Sequence, residues 1–136
     1  EELLPCIDAD TDAFTDYMSA MRLPKATDEE KAAREAAMQA GLKKAVEVPL
    51  RTMRLANRTW EAMEQMACSG NIASKSDLQV GARALEVGIW GAWQNVIINL
   101  KDITDAAYAQ ETAVEAAEMH AVADASCKKV LTRHPT

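Results

Sequence analysis

Apolar residues recur at spacings of three and four along almost the whole of this 136-residue chain, and no segment alternates β-branched with polar residues. Such a pattern draws apolar stripes on helices and leaves no face from which to build a sheet. The expectation is an all-α fold: an antiparallel bundle of about four long helices in a single domain, residues 1–136. With 49% of residues apolar by type, the chain can bury one modest core.

In the first helix, Leu4, Ile7, Thr11, Phe14, Met18 and Met21 form a narrow stripe predicted to be buried. Pro5 suits a first turn, and Leu23-Pro24 ends the helix because the residue before a proline is pushed out of the α region. Thr27 and Glu30 form a capping box that opens the second helix. Its stripe runs from Met38 through Leu42, Met53, Trp60 and Ala67, with a kink expected at Pro49 and a left-handed stop at Gly70. Lys44, Arg51, Arg54 and Arg58 lie opposite that stripe and read as a solvated face.

A loop from Asn71 to Lys75 leads to Ser76-Asp77, the expected start of a third helix that is apolar nearly all round and therefore central. Gly81, Ala84, Gly88, Gly91 and Ala92 make a strip of small residues on it, continued by Asn95 and Asn99. Each glycine there costs about 1 kcal/mol of helix propensity relative to alanine, so a close approach is expected. That approach is either a helix–helix contact with the asparagines bonded across it or a pocket. Gln79, Arg83, Glu86, Trp90 and Ile97 mix polar groups with an aromatic on another side, which suits a partner. The fourth helix, Asp105 to Leu131, is alanine-rich, with Tyr108, Met119, Val122 and Val130 as its larger anchors. His120 and His134 have no companion at metal-ligand or triad spacing and read as surface residues.

A net charge of −6 argues against nucleic acid or an anionic membrane as partner. Cys6, Cys68 and Cys127 are odd in number and far apart, which gives neither a disulfide framework nor a metal site and fits a reducing compartment. The most apolar stretch, GIWGAWQNVIINL, is interrupted by Gln94, Asn95 and Asn99, so no direct membrane span is expected. The chain begins at Glu1 rather than Met, which suggests removal of something upstream; a cytoplasmic location is expected, with an organellar one after loss of a targeting segment as the alternative.

Four aspartates crowd the stretch CIDADTDAFTDYM. Asp12 and Asp16 lie on the solvated side of the helix, and Asp8 flanks one edge of the stripe. Asp10 borders apolar side chains on the other edge, where partial desolvation would favour its protonated form and suit it to exchange protons near neutral pH. The periodicity alone leaves open an ordinary boundary aspartate that caps or pairs.

IDADTDAF followed by RLPK, EVPL, CSGN…SDLQV and GIWGAWQNVIINLKDITD resembles the folate cyclodeaminase and methenyltetrahydrofolate cyclohydrolase family, in particular the C-terminal domain of formiminotransferase-cyclodeaminase. The resemblance implies an all-helical bundle that forms homodimers, with the substrate cleft at or near the subunit contact. It implies a tetrahydrofolate derivative as substrate, no permanently bound cofactor and no metal. Asp10 stands at the place of the catalytic acid/base. Asn95 and Asn99 are then groups that hydrogen-bond the pterin or amidine, and Asn71 and Asp77 substrate-binding residues that build the loop and cap shaping the cleft. Deaminase and cyclohydrolase members share these motifs. This chain has no adjacent glycines, whereas the family carries a glycine-rich segment upstream. The alternative expectation is a non-catalytic linker or scaffold subunit, held by other proteins in a larger assembly.

Overall fold

A computed structural model describes residues 1–133. Five α-helices follow one another: α1 Leu4–Met21, α2 Asp28–Asn57, α3 Trp60–Ser69, α4 Lys75–Leu100 and α5 Ala106–Thr132, with a 3-10 turn at Ile72–Ser74 between α3 and α4. No strand occurs among the described residues. The fold is an all-α bundle of four long helices, with α3 as a short fifth piece.

Local chemistry sets the boundaries. Thr27 accepts from the Glu30 backbone N–H while the Glu30 carboxylate accepts from the Thr27 N–H, so the capping box forms. Asp105 caps α5 by accepting from the Tyr108 N–H at 3.1 Å. Pro49 is accommodated inside an unbroken α2, and the interruption comes instead at Arg58–Thr59. There Asn57 accepts from the Trp60 indole N–H at 2.9 Å and donates to the Met119 carbonyl at 3.0 Å, which turns the chain so that Trp60 is buried. Gly70 ends α3 in an extended conformation, φ −74°, rather than the expected left-handed one. α4 starts at Lys75, with Asp77 in its first turn.

The core lies where α2, α4 and α5 meet. Leu50, Met53, Val46, Ile89, Val96, Cys127 and Val130 are its largest fully buried side chains. Removal of each large one from water contributes about 1.5–3 kcal/mol before the entropy of ordering is counted. The α4–α5 connection is clamped to α2 by Gln39, which donates to the Asp102 carbonyl at 2.9 Å and accepts from the Thr104 N–H at 3.0 Å. Lys44, Arg54 and Arg58 are exposed as expected, and each pairs with a carboxylate: Asp16, Glu115 and Glu2.

Several sequence expectations change in the structure. The α1 stripe faces outward: Ile7 is 66% and Phe14 64% exposed, while Cys6, Ala13 and Ala20 are buried. Small residues let the α1 backbone settle close onto α2, which large side chains would prevent. The α4 strip divides: a Cβ at Gly88 or Gly91 would meet nothing within 4 Å, whereas a Cβ at Gly81 would lie 3.5 Å from the Met63 Cε, Ala92 is buried and Asn99 reaches the Ala45 carbonyl of α2. His120 is not a free surface side chain but stacks on Trp93, with ring centroids 4.3 Å apart. On α5, Val122 is exposed, and the buried positions are Thr112, Ala116, Ala123, Ser126, Cys127 and Val130. His134 lies outside the described residues.

Candidate functional site

The face of α1 that carries Asp10 runs beside the C-terminal half of α4. Asp10, Phe14 and Tyr17 from α1, Leu42 and Ala45 from α2, and Asn95, Ile98 and Asn99 from α4 line a depression of about 170 Å³. The Asp10 carboxylate is exposed there and makes no hydrogen bond or ion pair among the described residues. It is less desolvated than the stripe reading expected, because that stripe faces water. Asn99 donates to the Asn95 carbonyl at 2.9 Å and the Ala45 carbonyl at 3.4 Å, which fixes its side chain to the wall. The Asn95 side chain is exposed and makes no hydrogen bond among the described residues, so its donors and acceptor are available. The result is a carboxylate and an amide pair over an apolar floor.

Asn71 and Asp77 belong elsewhere. They line a larger cavity of about 650 Å³ between α3, the start of α4 and the end of α5, with Thr59, Met63, Met66, Leu78, Leu85, Val130 and Arg133 around it. Asn71 accepts from the Ala73 N–H at 3.0 Å and so caps the 3-10 turn. Asp77 is exposed in the first turn of α4. Asn95 follows Asp77 by five turns of the same helix, about 27 Å along its axis. One chain therefore holds the five expected site residues in two separate places. The larger cavity is the roomier, but its wall is mostly apolar and Asp10 does not line it.

Tyr17 was not singled out from the sequence, yet it sits beside Asp10. Its signal was present: it falls four residues after Ala13 and three before Ala20, on the face of small residues that packs against α2. Met63 was read only as part of a stripe, but it faces Gly81 across the larger cavity, with a Cβ there lying 3.5 Å from the Met63 Cε.

The shifted titrations lie in structural contacts, away from both depressions. Burial, together with the nearby Glu47 carboxylate, pushes the Tyr108 phenol up to about 12. The hydrogen bond from Lys43 at 2.8 Å, supported by the Tyr108 N–H, lowers the Asp105 carboxyl. Burial raises the Cys127 thiol, and Glu86 adds to the effect. These groups hold α5 against α2 and α4.

Fold and site define a helical-bundle protein with a carboxylate–amide depression between two helices. The family model described as formiminotransferase-cyclodeaminase matches residues 1–118, and the chain belongs to this family. A formimidoyltransferase-cyclodeaminase of Gallus gallus is 53% identical over 112 residues, 82% of this chain and 21% of that protein. One of Dictyostelium discoideum is 48% identical over 123 residues, 90% of this chain and 22% of its own length. A methenyltetrahydrofolate cyclohydrolase of Methylorubrum extorquens is 41% identical over 102 residues, 75% of this chain and 49% of that protein. The chain thus spans about a fifth of the first two relatives and about half of the third. No helix among the described residues is long and apolar enough to cross a membrane.

Proposed function

We propose that this chain forms a cyclodeaminase-like domain acting on a folate, with Asp10 as acid/base and Asn95 and Asn99 as the amides that orient the reacting group. The observation that carries this reading is the convergence of Asp10 with Asn95 and Asn99 on one depression, from helices far apart in sequence. In the reaction, N10 of 5-formiminotetrahydrofolate attacks the carbon of the protonated formimino group (an amidinium) on N5, and the N–H proton of N10 passes to the Asp10 carboxylate. The tetrahedral intermediate takes a proton back on its exocyclic nitrogen, the C–N bond breaks, and ammonia leaves with 5,10-methenyltetrahydrofolate as product. A positioned carboxylate of this kind contributes about 10²–10⁴-fold. Holding both nitrogens at attack distance supplies a further large part of the acceleration. No resident cofactor is needed for these steps.

The test is turnover of 5-formiminotetrahydrofolate by the purified chain, followed by the near-ultraviolet absorbance of the methenyl product. Formation of 5-formimino-derived product by the wild type and its loss in Asp10→Asn support the reading. Hydrolysis of added methenyltetrahydrofolate instead would assign the cyclohydrolase reaction to the same site.

A second reading, a non-catalytic scaffold subunit, is favoured by the outward apolar face of α1 at Leu4, Ile7 and Phe14. A folded chain that neither turns over nor binds folate would decide for it.

A further inference from the structure

The stripe that α1 turns to solvent has the spacing of a coiled-coil seam. Leu4, Ile7, Thr11, Phe14, Met18 and Met21 alternate steps of three and four over the 18 residues of the helix. Leu4, Ile7, Phe14 and Met21 are exposed, so a row of large apolar groups runs the length of α1 with nothing over it in the chain. An apolar surface of that continuity marks a contact. Carboxylates border it on both sides. Asp8 follows Ile7 on one flank and Asp10 precedes Thr11 on the other, the two places from which a seam meets the flanking residues of a partner helix. Both are exposed, as is Asp12 behind Asp8, and none of the three makes a hydrogen bond or ion pair among the described residues. No lysine or arginine occurs between Glu1 and Met21.

We infer that the outer face of α1 docks an amphipathic helix of a different protein, apolar at the same spacing and carrying lysine or arginine on both flanks. The charges choose the occupant. A second α1 laid on the seam would set Asp8 and Asp10 against the same carboxylates, whether parallel or antiparallel, and like charges at flanking positions select against such a pair. The basic line of α2 on another copy is no substitute, because Lys44, Arg54 and Arg58 are already held by Asp16, Glu115 and Glu2. An anionic lipid surface is repelled for the same reason, since a helix that lies on one needs cations on its polar face. A basic helix gains the apolar burial and the charge pairs together. Phe14, at the middle of the seam, is its aromatic anchor. Beside it stands the exposed Ile98 of α4, which widens the seam into a shallow groove.

Docking has a consequence for the site. Asp10 and Phe14 belong both to the seam and to the depression that Asn95 and Asn99 share, so a helix on the seam lies across the mouth of that depression. Its cation on that flank pairs with the Asp10 carboxylate and occupies the group proposed as acid/base. The docked partner therefore closes the site. This closure rests on the folate reading above, whereas the docking itself rests on the seam alone.

The probe is a synthetic peptide of three heptads with leucine along the seam and lysine on both flanks, and its companion carries glutamate in place of the lysines. Fluorescence anisotropy of each labelled peptide is followed against the full chain. Saturable binding of the lysine peptide and none of the glutamate peptide is expected. Phe14→Ser, at an exposed position that leaves the fold intact, should weaken binding by about tenfold. Asp8→Lys with Asp10→Lys should reverse the preference to the glutamate peptide. Glu111→Lys with Glu118→Lys makes the same change of charge at exposed positions on α5 and should leave binding unchanged. Equal binding of both peptides, no effect of Phe14→Ser, or an equal loss in the α5 variant overturns the inference. So does a change in the sedimentation of the chain alone on Phe14→Ser, which would mean that a second copy covers the seam, or capture of the wild type by phosphatidylserine vesicles. Turnover should fall in step with occupancy by the lysine peptide; full turnover at saturation overturns the closure. A wild type without turnover that still selects the lysine peptide removes the folate reading and leaves the docking, and turnover without peptide binding does the reverse.

Discussion

A Cβ added to Gly41 would lie 3.1 Å from the Cα of Tyr17. Helices α1 and α2 approach closely there, and the contact holds Tyr17 beside Asp10. Gly41→Ala forces the two helices apart, because the obstructing atom is backbone and cannot swing away. Overpacking of this kind costs about 1–3 kcal/mol and outweighs the roughly 1 kcal/mol that alanine adds in helix propensity. The expected outcome is a lower urea midpoint with an unchanged slope, together with a raised KM if Tyr17 helps to form the folate site.

Asp10→Asn should leave the fold intact, since the carboxylate is exposed and bonded to nothing among the described residues. Turnover should fall by about 10²–10⁴-fold, the range for losing a positioned acid/base. Circular dichroism and the thermal midpoint should match the wild type. A variant that keeps its activity would remove Asp10 from the mechanism.

Tyr108 gives a signature at alkaline pH. Its folded-state pKa is raised from 10.0 to about 12, first by burial and then by the Glu47 charge, so the folded state holds the phenol proton more tightly than the unfolded chain does. That contribution is complete below pH 10 and is lost as pH rises through about 12. Tyr108→Phe should remove this part of the alkaline loss of stability, and the tyrosinate absorbance of the folded wild type should show one late-titrating group.

The three cysteines should separate by reactivity. Cys68 is exposed, whereas Cys6 and Cys127 are buried and the Cys127 thiol is raised by burial and by Glu86. A thiol reagent at neutral pH should label Cys68 at once and the other two only at the rate of unfolding. Fast labelling of Cys127 would mean that α5 opens away from α4.

Leu50→Ala tests the core. Leu50 is fully buried between α2 and its neighbours, and its truncation should cost about 2–5 kcal/mol. Val114→Ala, at an exposed position on α5, should change stability by less than about 0.5 kcal/mol.

Helix existence was legible because periodicity and caps are local: Thr27 with Glu30 and Asp105 mark their helix starts in sequence and in space. The facing of α1 was not legible. A stripe of Leu4, Ile7 and Phe14 satisfies the rule that large apolar groups go inward, but Gly41 and the small residues Cys6, Ala13 and Ala20 make the opposite face the one that fits. The break at Arg58–Thr59 carries no proline or glycine and depends on Asn57 reaching Met119 on α5, a contact that sequence spacing does not encode. Asp10, Asn95 and Asn99 were grouped by resemblance, and the depression they share arises from how α1 and α4 both lie on α2. The glycines of α4 signalled an approach, and only the three-dimensional arrangement reveals that Met63 makes it at Gly81 while nothing inside the chain makes it at Gly88 or Gly91.

The interruption at Arg58–Thr59 leaves α3 with two buried residues, Trp60 and Ala67, and ties it to α5 and the residue after it mainly by exposed polar contacts, Glu64 with Lys129 and Arg133 and Arg133 with Cys68, besides the Asn57 bridge at its start. Helices anchored so lightly open without the rest of the molecule. The amide protons of 60–69 should therefore exchange with solvent well ahead of those in the middle of α2 and α4. Exchange in that order would mark the α3 side of the larger cavity, which carries Met63 and Met66, as the wall that opens first.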